Sequence, residues 1–77
     1  MLNMITLDGT KLNEFQQGKV SGIIWALTGM PEKSYAIKVS KDGSEVTMTF
    51  DCTDQQFFNV MDAINTAYPG VIIYKKD

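Results

Sequence analysis

The sequence predicts an α+β fold, a two-layer sandwich in the order strand, helix, strand, strand, helix, strand. Three observations carry this. Two segments with period-two alternation flank Asp42-Gly43, which marks a hairpin. A capped apolar stripe at helical spacing follows from Thr53. Apolar runs at 1–7 and 71–74 supply the first and last strands.

The first strand, Met1 to Leu7, is ended by Asp8-Gly9. Thr10 is placed to cap a helix, and Leu12, Phe15, Val20, Ile23, Ile24 and Leu27 then fall within one half of a helical wheel that Gly29 closes. Gly18 and Gly22 oppose this helix, each by roughly 1 kcal/mol relative to alanine. A rival reading therefore ends a short helix at Gly18 and makes Ile23-Ile24-Trp25-Ala26-Leu27 a strand. The chain would then be a short N-terminal helix, a three-stranded antiparallel meander, a helix and a final strand. The long helix is favoured.

In the hairpin, residues 35–41 and 44–51 alternate apolar with mainly polar side chains. Asp42-Gly43 suits a two-residue type I′ turn, whose central residues both need positive φ. That loop sets Val39 opposite Val46, Ile37 opposite Met48 and Tyr35 opposite Phe50 on one face. Lys38 opposite Thr47 and Ser40 opposite Glu45 take the other. Thr53 and Gln56 next form a capping box, with Asp54 favourable to the positive end of the helix. Phe57, Val60, Met61, Ile64 and Tyr68 make the buried stripe, Asn59, Asp62 and Thr66 face away, and Pro69-Gly70 stops the helix. Val71 to Tyr74 is the last strand, and Lys75, Lys76 and Asp77 lead into solvent. This order is the split βαβ, or ferredoxin-like, arrangement, with two helices on one face of a four-stranded sheet. That fold hosts many functions and selects none.

Length and composition narrow the choice. A 77-residue chain makes one domain, 1–77. At this size only about 60% of the unfolded surface is buried, so a partner or a second copy bears on stability. The 44% apolar share is that of a globular protein. No apolar stretch has membrane-spanning length, and the first twelve residues lack the pattern of a secretion signal. One cysteine, five methionines and no glycosylation sequon point to a reducing, cytoplasmic compartment. The net charge of −2 is too small to imply a strongly charged partner. Histidine and arginine are both missing. The commonest metal ligand and general base is thus gone, as is the two-point grip on carboxylates, phosphates and guanine edges.

Each remaining chemical candidate has a structural explanation. Cys52 precedes a helix N-terminus, where a thiol can be activated. No histidine serves as its base and no second cysteine resolves an oxidised form, so it reads as a hydrophobic staple against Phe57. Gly18-Lys19 lacks the rest of a phosphate loop: Asn13 and Val20 stand where glycine and Ser or Thr are required. The carboxylates Asp8, Glu14, Glu32, Asp42, Glu45, Asp51, Asp54 and Asp62 are scattered, and no segment has an EF-hand pattern. No catalytic, cofactor or metal site is assigned. An RNA reader of this topology stacks bases on sheet aromatics, whereas here Glu45, Thr47, Thr49 and Asp51 line the open face of a hairpin strand.

These exclusions leave a non-enzymatic protein-binding module as the leading expectation. It would act by surface contact, as a homodimer or as an inhibitor or adaptor of a larger protein. Compact domains of this kind are common among virus- or mobile-element-encoded proteins, those of phages included. A small-molecule-sensing regulatory domain is the alternative, and weak nucleic-acid binding ranks third. Alternate strand residues share a face. Leu2, Met4 and Thr6 form one set and Asn3, Ile5 and Leu7 the other; Ile72 goes with Tyr74, and Val71 with Ile73. Either choice leaves apolar side chains on the open face beside a polar hairpin. Met4, Ile72 and Tyr74, with Trp25 on the outside of the long helix, are therefore the expected protein-contact residues.

Overall fold

A computed structural model describes residues 2–29 and 36–76 of the chain. Its elements are β1 (Leu2–Asp8), α1 (Glu14–Thr28), β2 (Ala36–Val39), β3 (Glu45–Asp51), α2 (Asp54–Ala67) and β4 (Ile72–Lys76). The strands form one sheet in the order β2-β3-β1-β4, with every neighbouring pair antiparallel. This is the favoured ferredoxin-like topology. The meander alternative fails because residues 23–27 are helical.

Helix α1 runs through Gly18 and Gly22 without a break, anchored by buried Val20 and Ile24. Its cap is Asn13, not Thr10. The Asn13 Oδ1 accepts from the Gln16 N–H at 2.8 Å, and Gln16 Oε1 accepts from the Asn13 N–H at 2.9 Å. Such a cap contributes about 1 kcal/mol. Thr10 is engaged elsewhere: its N–H and hydroxyl both donate to Asp8 Oδ1. Phe15 lies at the very edge of the expected half-wheel, about 140° from Val20 at about 100° per residue, and falls outside the buried stripe. Phe15 stands in the first turn on the outer side and is 71% exposed, while Leu12, just ahead of the helix, takes the core position. Ile23 packs at the core margin and Leu27 is exposed. Gly29, at φ 66, closes the helix by donating to the Trp25 carbonyl at 2.8 Å.

The hairpin keeps the predicted register with a different turn. Val39 pairs with Val46, Lys38 with Thr47 and Ile37 with Met48; Tyr35 lies outside the described residues. Type I′ would need positive φ at Asp42, yet no described non-glycine residue has one, and within this turn only Gly43 does, at φ 75. The Gly43 N–H instead donates to the Ser40 carbonyl at 3.0 Å, and the Ser40 N–H to the Glu45 carbonyl at 2.9 Å. Asp42 makes this the better solution. Its carboxylate accepts from the Ser44 N–H at 3.0 Å, the Ser44 hydroxyl at 2.7 Å and the Ser40 hydroxyl at 2.9 Å. Left-handed backbone at Asp42 would cost more than it would at glycine. Ser40 still faces Glu45 across the turn, so every pair beyond it is unchanged.

Helix α2 follows the sequence reading. Thr53 and Gln56 close the capping box at 3.1 and 3.0 Å, and Phe57, Val60, Met61 and Ile64 are buried. Asn59, Asp62 and Thr66 are exposed, and Gly70 takes φ 77 beyond the helix. The core lies between the helices and one face of the sheet. On that face Ile5 pairs with Met48, Leu7 with Val46 and Asn3 with Phe50, all buried. Phe50 meets Phe57 with ring centroids 6.0 Å apart. Full burial of such a side chain contributes roughly 1.5–3 kcal/mol. Ile37 and Val39 point to the same side but stay half-exposed on the edge strand.

Candidate functional site

The uncovered sheet face carries Met4, Thr6, Lys38, Thr47, Thr49 and Tyr74, given that Asn3, Ile5 and Leu7 turn to the helices. Thr6 is buried on this open side. It lies opposite both Thr47, within 3.2 Å hydroxyl to hydroxyl, and Tyr74. Met4 is half-buried and Tyr74 half-exposed. The expected polar character of the hairpin half holds: Glu45 and Asp51 are exposed, and Thr47 and Thr49 lie between them.

Ile72 and Tyr74 do not share a face, contrary to simple alternation. Thr6 pairs with Tyr74, whereas Leu7 pairs with Ile72, so Ile73 is the extra residue of a bulge. One inserted residue reverses the side of everything beyond it. Ile72 thereby turns to the helix side and packs against the core, while Tyr74 stays on the open side. The strand also continues through Lys75 and Lys76 rather than ending at Tyr74.

Between this bulged edge and α2 runs an open groove of about 390 Å³, lined by Met61, Asn65, Ile72, Ile73, Tyr74 and Lys75. Its floor is apolar, from Met61 and Ile72, and its rim carries one amide and one ammonium. Phe58, one helical turn before Met61, is an exposed aromatic that the sequence reading passed over. Its signal was its place off the buried stripe. Of the four expected contact residues, Ile72 and Tyr74 line this groove, while Met4 lies on the open face of the interior strand β1 and is not part of it. Trp25 stands apart on α1, 58% exposed, on the side away from Val20 and Ile24, as the long helix implied.

Cys52 has the environment of a structural thiol. It is half-buried against the core cluster that contains Phe57, and the Asn3 Nδ2 donates to its carbonyl at 3.2 Å and to its Sγ at 3.1 Å. Burial pushes its pKa up, the Asn3 bond offsets part of this, and Asp51 and Asp54 push it up further. A nucleophile needs the opposite shift. Buried Asn3 was not singled out from the sequence, where it looks like any polar strand residue. Among the described residues no three of His, Cys, Asp and Glu gather as metal ligands, and Glu32 lies outside them. No described helix is long and apolar enough to cross a membrane. No family model, curated protein or solved structure matches this chain.

Proposed function

We propose that this chain is a protein-binding module that works by surface contact, as an inhibitor, adaptor or self-associating domain. The observation that carries this reading is the apolar margin at β4, where half-exposed Ile73 and Tyr74 border the groove floored by Met61 and Ile72. On so small a domain a confined apolar margin is the usual mark of an interaction surface. An edge strand also turns alternate N–H and C=O groups outward, which a partner segment can pair with while its side chains enter the groove. A small-molecule site encloses most of its ligand. This groove is open along its length and fits a protein segment better.

The test places charge on the margin at Tyr74 and on the adjoining open face at Met4. Met4→Lys and Tyr74→Glu remove no buried core residue and should leave the circular dichroism spectrum unchanged. Partners captured by the parent chain from its native host, identified by mass and re-measured with purified protein, should bind either variant at least tenfold more weakly. Undiminished binding by both folded variants would place the contact elsewhere.

A further inference from the structure

We propose that the outer face of α1 pairs with the same face of a second copy, the two helices antiparallel, so that Phe15 meets Trp25 of the other copy. Phe15, Gly18, Gly22 and Trp25 are spaced three, four and three residues apart. That spacing keeps a row on the side of a helix that faces a partner helix. The row lies opposite the buried Val20 and Ile24 and is exposed throughout. Phe15 and Trp25 are the two most exposed large apolar side chains of α1. A Cβ added at either glycine would meet nothing within 4 Å. No part of the described fold uses this row.

The occupant follows from the symmetry of the row. Phe15 and Trp25 stand five residues either side of Val20, and Gly18 and Gly22 two residues either side. Antiparallel two-fold pairing maps position 15 onto 25 and position 18 onto 22. Each aromatic then meets an aromatic, and each glycine a glycine, as an interface between identical surfaces requires. Any docking helix face has this spacing; what points to a second copy is that the residue types also read the same in both directions, aromatic, glycine, glycine, aromatic. The glycines let the backbones approach at the centre, and the two aromatic layers close the ends. No charge lies in the row. Lys19 flanks it with its ammonium 5.0 Å over the Phe15 ring, so its stem can cover the ring edge while the charge stays in water.

Size sets the strength. Four aromatics at their present exposure offer roughly 600 Å² to a dimer, taking about 200–250 Å² for each side chain. That is little more than a third of the roughly 1,600 Å² of a standard specific interface, so self-association is weak and belongs at micromolar or higher concentrations.

Sedimentation equilibrium of the full chain across that range should show a monomer–dimer transition, with Trp25 emission moving to shorter wavelength as the dimer forms. Phe15→Lys and Trp25→Glu should each weaken association at least tenfold and stay folded, because both side chains are exposed. Mixed in equal amounts, the two variants should associate again. One layer then sets the introduced lysine against the introduced glutamate, and the other keeps the native Trp25 against Phe15. This rescue is specific to the antiparallel register, since parallel pairing sets position 15 against itself. Gly18→Leu should abolish the dimer by blocking approach, and Tyr74→Glu, on the sheet, should leave it intact. A parent chain that is monomeric throughout overturns the proposal, as does a mixture that fails to associate. Loss of the dimer in Tyr74→Glu alone would also overturn it, while leaving the β4 margin as the contact surface.

Discussion

The same substitution, glycine to alanine, should have opposite signs at Gly9 and at Gly18. Gly9 follows β1 and donates its N–H to the Ser44 carbonyl at 2.8 Å. A Cβ there would run into the Gly43 carbonyl oxygen, with the Gly43 carbonyl carbon at 3.2 Å and the Ser44 carbonyl carbon at 3.3 Å. Every one of these atoms is backbone, so no side chain can swing aside. Gly9 is not among the glycines with positive φ, so the collision rather than conformational strain supplies the effect. Overpacking of this kind costs about 1–3 kcal/mol, and separating the hairpin turn from Gly9 adds about 1 kcal/mol for the lost hydrogen bond. In a domain of this size each 1 kcal/mol moves Tm by roughly 4–8 °C. Gly9→Ala should therefore lower Tm by about 10 °C or more. At Gly18 the space is open and the backbone helical, so alanine should stabilise by up to about 1 kcal/mol. Thermal and urea melts followed by far-ultraviolet circular dichroism read both, at protein concentrations too low for self-association. Gly9→Ala melting within about half a kcal/mol of the parent would refute the close approach of the two turns. A destabilising Gly18→Ala would refute the open helix face.

Gly43→Val should cost on the order of 1 kcal/mol or more, because a β-branched residue resists the φ of 75 observed there; a urea melt measures it. Asp42 is held down to about 2, from 3.8, by the Ser44 N–H first and then by the Ser44 and Ser40 hydroxyls. Folding thus favours its ionised form, and this contribution is complete above the ordinary carboxylate range and lost as pH falls toward about 2. Asp42→Ala should lower stability at neutral pH and flatten that part of the acid profile. Cys52, pushed up by burial, should react slowly with a thiol reagent at neutral pH. Cys52→Ala should keep partner binding while losing about 1 kcal/mol with the Asn3 bond, as paired labelling and melting experiments will show. Binding to DNA or RNA at physiological salt should be weaker than micromolar, since seven lysines act without arginine; a filter-binding titration decides it.

What the sequence made legible was whatever depended on near neighbours in the chain. Thr53 and Gln56 sit three residues apart and close on one another, and the stripe from Phe57 to Ile64 is buried as its period requires. Hairpin register survived a wrong turn type because both turns set Ser40 against Glu45. The misses needed competing local options to be ranked. Thr10 and Asn13 both suit a cap, and Asp8 decided the matter by engaging Thr10. Phe15 was miscounted as core because it sits at the edge of the half-wheel, about 140° from Val20. The bulge at Ile73 depends on how β4 seats against β1, and no residue of 71–76 announces it by type. Since the bulge sets which side Ile72 faces, the separation of Ile72 from Tyr74 was beyond reach of alternation alone.

Exposed apolar residues in this domain have two different origins. Ile37 and Val39 point to the same side as Val46 and Met48, toward the helix layer. Two packed helices sit about 10 Å apart. Here they cover the rows of β1 and β3, which are fully buried, and leave the outer row of β2 only partly shielded. Exposure there is a consequence of width: the sheet extends past its cover, and apolar side chains on that row still stabilise the fold through their inner edges. Phe15 and Trp25 cannot be explained in this way. They point away from both layers, on a helix already anchored by Val20 and Ile24. Polar residues at positions 15 and 25, and alanine at 18 and 22, would leave the described core untouched and make a better isolated helix. Within the described monomer the row gains only the contact of the Lys19 ammonium with the Phe15 ring, and that small gain does not account for Trp25 or for the two glycines, which is what the proposed pairing of two copies would explain.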